Sequence, residues 1–375
     1  MLGTLGTMSM GVRLPIIKQN DELENIIVSN IINASDESNI PIEDGDIIGI
    51  TESIVARANG LYITVDDIAE SVKNKLNNPK GVYVLWPIYS RNRFSMILKG
   101  IARAVPGFVQ VILDEGKDEV GNKHVNQFTG VDIKEFYRNL IEEEGSHPII
   151  HSTGYEMFFK NIFYDAMNGN KINVIVATIH NRNRLKQLFE SFNSPDKLEN
   201  GTAINVITLE EICDEFNPDF GVLGTNKATE ETLKLFPTID VAKRVALKVQ
   251  EDIEAETGKH VEVLIYGDGC FKDPVGGIWE FADPVSSPYY TDGLEGTPNE
   301  LKLKYVADNE SSDEDFIRER IKHKKAEMAG QMITQGTTPR MYRDLVASLC
   351  DLTSGSGDKG TPVIWIKNYF KNYAD

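Results

Sequence analysis

The chain has 375 residues, room for two or three domains, and its 41% apolar and 26% charged residues are the balance of a globular protein. A net charge of −18 argues against nucleic acid as the main partner and disfavours an anionic membrane surface, because both call for a basic face. Three widely spaced cysteines, Cys213, Cys270 and Cys350, match no zinc pattern and point to a reducing, cytoplasmic setting.

The opening "MLGTLGTMSM" carries no basic run followed by a long apolar core, so residues 1–10 read as a tail or an expression remnant and not as a secretory signal. No apolar run approaches membrane-spanning length. After the turn "IEDGD", the stretch "DIIGITESIV" (46–55) reads as a strand. "GVYVLWPIYS" (81–90) reads as another, stopped at Pro87. "RFSMILKGIARAV" (93–105) has helical spacing and ends at Pro106-Gly107, and "FVQVIL" (108–113) follows as a buried strand that enters the acidic loop "DEGKDEVGN".

Residues 131–208 read as a unit of their own. Three helix–strand steps, ending in "HPIIHS", "INVIVATI" and "AINVIT", predict a small layer of parallel strands, since parallel neighbours need crossover helices. The chain then continues with a small-residue loop, "GTNKATEE" (224–231). An amphipathic helix over about 239–257 presents Val241, Val245, Val249 and Ile253 on one face, and the strand "VEVLIY" follows. A charged helical segment (311–334), the helix "TPRMYRDLVASL", the loop "DLTSGSGDKGT" and the strand "PVIWI" complete an α/β or α+β pattern.

Two acidic loops, "LDEGKDEVGN" (113–122) and "YGDGCFKDP" (266–274), each follow an apolar strand. Carboxylates and glycines beyond strand ends suit a hard cation such as Mg²⁺ or Mn²⁺, and equally suit a solvated surface turn. Arg91, Asn92 and Arg93 stand at a strand-to-helix junction, where arginine forks and helix N–H groups favour phosphate or carboxylate; two exposed arginines on a turn fit as well. Asn226 and Lys227 lie in a loop of phosphate-cradling composition but without P-loop spacing. Cys270 has no histidine near in sequence and reads better as a packed thiol than as a nucleophile, and His151 reads as a structural histidine. The residues alone thus point to metal-assisted phosphate chemistry on an α/β scaffold, with no signature of covalent catalysis.

Several stretches together resemble the coenzyme F-420:γ-glutamyl ligase family, in its longer branch. They are "IEDGDIIGITESIVARANG" (42–60), "DEVGN", "VLIYGDGCFKDP", "GVLGTNKATEETLKLFP", "DPVGGIWEFADPVSSPYYTDGLEGTPNELKLKY" and "SLCDLTSGSGDKGTPV". The likeness covers most of the chain outside roughly 131–217. It implies an α+β mixed-sheet fold, with 11–130 and 218–375 as the ligase core, 131–217 as an inserted α/β subdomain, and an intertwined homodimer. The activity it implies joins L-glutamate to a terminal carboxylate through an acyl phosphate, with GTP as co-substrate, Mg²⁺ or Mn²⁺ as cofactor, and K⁺ as a further ion. Carried over by position, Asp118 and Asp268 are candidate metal ligands, with Glu119 and Gly269 beside them. Ser53 and Arg57 fall on the family's early nucleotide-contact strand, and Ser354, Gly355, Ser356 and Gly357 near its late nucleotide contact. Arg91, Asn92, Arg93, Asn226, Lys227 and Lys272 stand as holders of substrate or phosphate. Lys272 replaces the arginine of shorter members, Asp273 adds a carboxylate, and Ser53 stands where a lysine is usual, so a folate or another γ-carboxylate is the alternative acceptor. A non-catalytic nucleotide-binding regulator is the second alternative, because a shared fold does not fix function.

Overall fold

The computed structural model describes residues 5–85, 91–112, 132–151, 162, 164–165, 168–176, 182–183, 185, 204–268, 271–272, 279–280, 285–298, 301–324, 341–355 and 357–374. In chain order the elements begin β1 (Met8–Val12), α1 (Leu23–Ser38), β2 (Ile47–Thr51), α2 (Glu52–Ala58), β3 (Tyr62–Thr64) and α3 (Val65–Lys75). Next come β4 (Gly81–Val84), α4 (Arg91–Ala104), β5 (Phe108–Ile112), α5 (Ile133–Glu143), β6 (His147–His151), β7 (Ile172–Val176) and β8 (Ile204–Thr208). The rest are β9 (Asn226–Lys227), β10 (Thr232–Lys234), α6 (Ile239–Thr257), β11 (Glu262–Asp268), β12 (Phe271–Lys272), β13 (Trp279–Glu280), β14 (Val285–Tyr290), α7 (Leu303–Asn309), α8 (Glu314–Lys324), α9 (Tyr342–Ser354) and β15 (Val363–Lys367). The chain divides into two units: residues 1–58, 239–267 and 285–375, and residues 59–238 with 268–284.

The first unit is built on a five-stranded mixed sheet of order β1-β15-β2-β11-β14. β2 and β11 run parallel, whereas β15 is antiparallel to both β1 and β2, which makes the fold α+β. Alternation sorts the strand side chains by face. Ile48, Ile50, Val263, Ile265, Val363 and Trp365 pack with α1 and α6. Ile47, Leu264, Tyr266, Ile364 and Ile366 pack with Val346, Ala347 and Cys350 of α9. In α6 the expected stripe is present: Val245, Val249 and Ile253 are fully buried and Val241 packs at its margin. The "DGD" turn also ties this sheet together. Gly45, at φ +81°, donates its N–H to the His260 carbonyl at 2.8 Å. Asp46 Oδ2 accepts from Lys367 Nζ at 2.8 Å and from Trp365 Nε1 at 2.8 Å, all within the core.

The second unit carries a five-stranded parallel sheet of order β6-β5-β4-β7-β8. From β4 the chain moves outward through β5 to β6, then returns to the other side of β4 for β7 and β8. Helices cover opposite faces. Phe94, Ile97 and Ile101 of α4 pack against Val82 and Val84, whereas Leu185 packs on the face of Tyr83, Val174 and Val176. A small antiparallel sheet, β3-β10-β9, completes this unit, and α3 begins with a capping box between Thr64 and Asp67.

Several expectations need correction. The stretch 46–55 is not one strand: β2 ends at Thr51 and α2 starts at Glu52, where Thr-Glu-Ser supplies helix-start chemistry. Residues 8–10 are not tail but belong to β1, held by pairing with β15. The layer expected over 131–208 has its parallel strands, but they share one sheet with β4 and β5, so it begins at residue 81. The loop expected from Asp351 starts only at Gly355, because α9 continues through Ser354.

Candidate functional site

The carboxyl ends of parallel β2 and β11 lie side by side. Their last paired residues are Thr51 and Tyr266; Glu52 and Gly267 follow, then Ser53 and Asp268. Strand ends of this kind are where α/β sheets place ligands. Glu52 is 3% exposed although it is charged. A Cβ on Gly267 would stand 2.1 Å from Glu52 Cγ. Gly267 is therefore glycine because the Glu52 side chain crosses its backbone. Tyr266 adds a phenol that is 2% exposed, and its hydroxyl has no hydrogen-bond partner among the described residues. Burial first, then the nearby Cys350, Asp351 and Glu52, push its pKa above the ordinary value.

The C-terminal loop reaches the same strand ends. Ser354 lies beside the Tyr266 hydroxyl, though its own hydroxyl donates to the Asp351 carbonyl at 2.8 Å. Gly355, at φ +60°, ends α9 and donates its N–H to the Asp351 carbonyl at 3.1 Å. A Cβ there would meet Lys359 Nζ at 2.5 Å, so the glycine admits both the turn and the lysine over it. Thr361 Oγ1 donates to the Ser354 carbonyl at 3.3 Å, and the Pro362 carbonyl accepts the Thr51 N–H at 3.0 Å. These bonds bind the loop to the end of β2.

Of the expected site residues, the structure collects Ser53, Ser354 and Gly355 at this edge. Ser53 is half-buried on α2 and Arg57 is exposed one turn on, so both stand on a helix and not on the expected strand. Gly357 opens an exposed 3-10 turn. Asn226 and Lys227 lie in β9 of the second unit, where Lys227 Nζ pairs with Glu230 Oε1 at 2.6 Å and holds that carboxyl below its usual range. Arg91, Asn92 and Arg93 form the first turn of α4. Asp118, Glu119, Gly269, Cys270 and Ser356 lie outside the described residues, as do the side chains of Asp268 and Lys272. His151 is half-buried with Nε2 3.0 Å from Gln110 Oε1, and burial pushes its pKa down, as befits a structural histidine. Sequence reasoning missed Glu52 and Tyr266. The signal was present in "GITES": a carboxylate directly following an apolar strand.

A family model described as F420-0:Gamma-glutamyl ligase matches residues 11–368. The chain belongs to the F420-0:gamma-glutamyl ligase family. No curated protein matches it. The family span includes the β2–α2 junction, the end of β11 and the C-terminal loop, so the resemblance of the separate motifs holds over nearly the whole chain. Membership in a ligase family supports an enzyme acting on small molecules. No described helix is long and apolar enough to cross a membrane.

Proposed function

We propose that the chain is a GTP- and divalent-metal-dependent γ-glutamyl ligase that adds L-glutamate to the terminal carboxylate of F420-0. The observation that carries this reading is the convergence of Glu52, Ser53, Tyr266 and the Ser354–Gly355 turn at one sheet edge, inside the span that the ligase family matches. An acceptor carboxylate oxygen attacks the γ-phosphorus, GDP leaves, and an acyl phosphate forms. The glutamate amine then attacks the acyl carbon, phosphate leaves, and the nitrogen loses its proton. Holding the amine and the carbonyl in reach supplies much of the rate, and no protein nucleophile is needed.

Carboxylate oxygens are the donors that Mg²⁺ or Mn²⁺ take, and the desolvated Glu52 at the strand ends fits such an ion. When bound, the ion neutralises charge on the transferring phosphoryl group. In this reading the nucleotide phosphates lie against Ser53 of α2 and the Ser354–Gly355 end of α9. Tyr266, whose proton is firmly held, donates to an acceptor or phosphate oxygen at the strand ends. The enzyme works as a cytoplasmic homodimer.

The test supplies GTP or ATP, Mn²⁺ or Mg²⁺ and labelled glutamate, with F420-0 and tetrahydrofolate as separate acceptors. Incorporation into F420-0 with GTP supports the reading. Incorporation into folate alone refutes the acceptor. Nucleotide binding without turnover on any acceptor points to a regulator.

A further inference from the structure

The C-terminal loop carries a cation that no described residue neutralises. After Gly355 ends α9, residues Gly357–Lys359 form a 3-10 turn. The turn is pinned on both sides: Thr361 Oγ1 donates to the Ser354 carbonyl at 3.3 Å, and the Leu14 N–H donates to the Gly360 carbonyl at 3.3 Å. Gly355 and Gly360, at φ +60° and +68°, supply the left-handed residues that fold it back. The exposed Lys359 is thereby laid across Gly355. A Cβ on that glycine would lie 2.5 Å from Lys359 Nζ, 3.0 Å from Cε and 3.4 Å from Cδ.

A lysine beyond a helix end commonly caps the last carbonyls. Here the Asp351 carbonyl already accepts the Gly355 N–H at 3.1 Å and the Ser354 hydroxyl at 2.8 Å. Lys359 makes no hydrogen bond or ion pair among the described residues. In the same unit, Lys248, Lys259, Lys367 and Lys371 each pair with a carboxylate. One residue before Gly355, Ser354 lies beside the Tyr266 hydroxyl. That phenol is 2% exposed and also lacks a hydrogen-bond partner among the described residues. An ammonium and a buried phenol, both unsatisfied, therefore converge on the Ser354–Gly355 turn. Buried donors of this kind call for an acceptor. An anion with several oxygens serves both, and a charged acceptor makes the stronger bond.

We infer that Lys359 and Tyr266 together hold one phosphate group of the nucleotide co-substrate, the ammonium by its charge and the phenol by its hydroxyl, with Gly355 leaving room for the ammonium. The inference rests on the proposed nucleotide site at these strand ends and adds to it a cation from the C-terminal loop.

Calorimetric titration of the full chain with GTP and Mg²⁺, without glutamate or acceptor, tests it. The expected result is GTP binding about 10-fold weaker in Lys359→Gln and in Tyr266→Phe, the size of one hydrogen bond to a charged group. Because both donors serve one phosphate, the loss in the double variant should fall short of the product of the two single losses. The Lys359→Gln deficit should shrink as salt rises, which a merely structural lysine would not cause. Lys304→Gln removes an exposed lysine from α7 and should bind GTP as the native chain does. Tyr266→Phe deletes a buried hydroxyl that has no partner, so thermal melts should find it at least as stable as the native chain. Native GTP affinity in either single variant overturns the inference and leaves the nucleotide site standing. So does a loss in Lys304→Gln as large as that in Lys359→Gln, or a double-variant loss equal to the product. A native chain that binds neither GTP nor ATP overturns the inference and the nucleotide site together.

Discussion

Gly267→Ala tests the strand-end geometry. The new Cβ would lie 2.1 Å from Glu52 Cγ and 3.2 Å from both Cβ and Cδ of the same side chain. None of these atoms can share that space, so Glu52 must rotate away or the two strands must separate. Overpacking a fixed site costs about 1–3 kcal/mol, and each kcal/mol lowers the melting temperature of a domain of this size by about 2–4 °C. The expected loss is roughly 2–12 °C in the transition of the first unit, together with reduced ligase activity, since the displaced group is the carboxylate at the strand ends. Glu52→Ala removes the obstruction. The double variant Gly267→Ala/Glu52→Ala should therefore regain most of the stability lost by Gly267→Ala, a coupling of the size that touching residues show, while activity stays low. Differential scanning calorimetry on the four chains gives the cycle. Additive losses, or a neutral Gly267→Ala, would refute the claim that Glu52 crosses Gly267.

Three further outcomes follow from the packing. Asp46→Ala leaves Lys367 Nζ and Trp365 Nε1 without their buried acceptor and should cost about 3–5 kcal/mol; Asp46→Ala/Lys367→Met should recover part of it, measured by urea denaturation. Burial pushes the Cys213 thiol up to about 12 and the Cys350 thiol upward as well, so peptide-resolved alkylation at pH 8 should label either one only on unfolding. Because these thiols hold their protons more tightly folded than unfolded, their contribution to stability is full below the unfolded value of 9.0 and declines as pH rises toward about 12. Arg103 reaches Glu144 through Nε at 2.7 Å and Nη2 at 3.2 Å, with Asp66 and Glu231 on Nη1. Arg103→Lys keeps the charge but loses the fork, so it should lower the melting temperature by a few degrees, and less so at high salt.

The amphipathic α6 was legible to its ends because a four-residue apolar spacing admits only a helix. β11 and β15 were legible as apolar runs bounded by turns. The β2–α2 boundary was not, since "DIIGITESIV" stays apolar across it and only Thr51-Glu52-Ser53 marks the change. β1 escaped because its pairing, Met8 with Lys367, spans almost the whole chain, and a short edge strand has little local pattern. All five strands of the parallel sheet were read as strands, three of them as one parallel layer, but chain order does not disclose strand order; only the sheet shows that β4 is its centre. Asp268 and the C-terminal serines were named as candidates from motifs alone. Glu52 left a trace in "GITES", but its place opposite Gly267, and that of Tyr266, come from adjacent strands that meet only in the fold.

The central claim is that the β2–β11 strand ends carry ligase chemistry through an acyl phosphate. The most direct measurement follows ¹⁸O from a labelled acceptor carboxylate into released phosphate during GTP-dependent glutamate addition. One labelled oxygen should appear in each phosphate from the native chain, and Glu52→Gln should slow the transfer by about 100-fold or more while keeping its fold, as loss of a charge-stabilising group does. Phosphate free of ¹⁸O, or native transfer rates in Glu52→Gln, would contradict it.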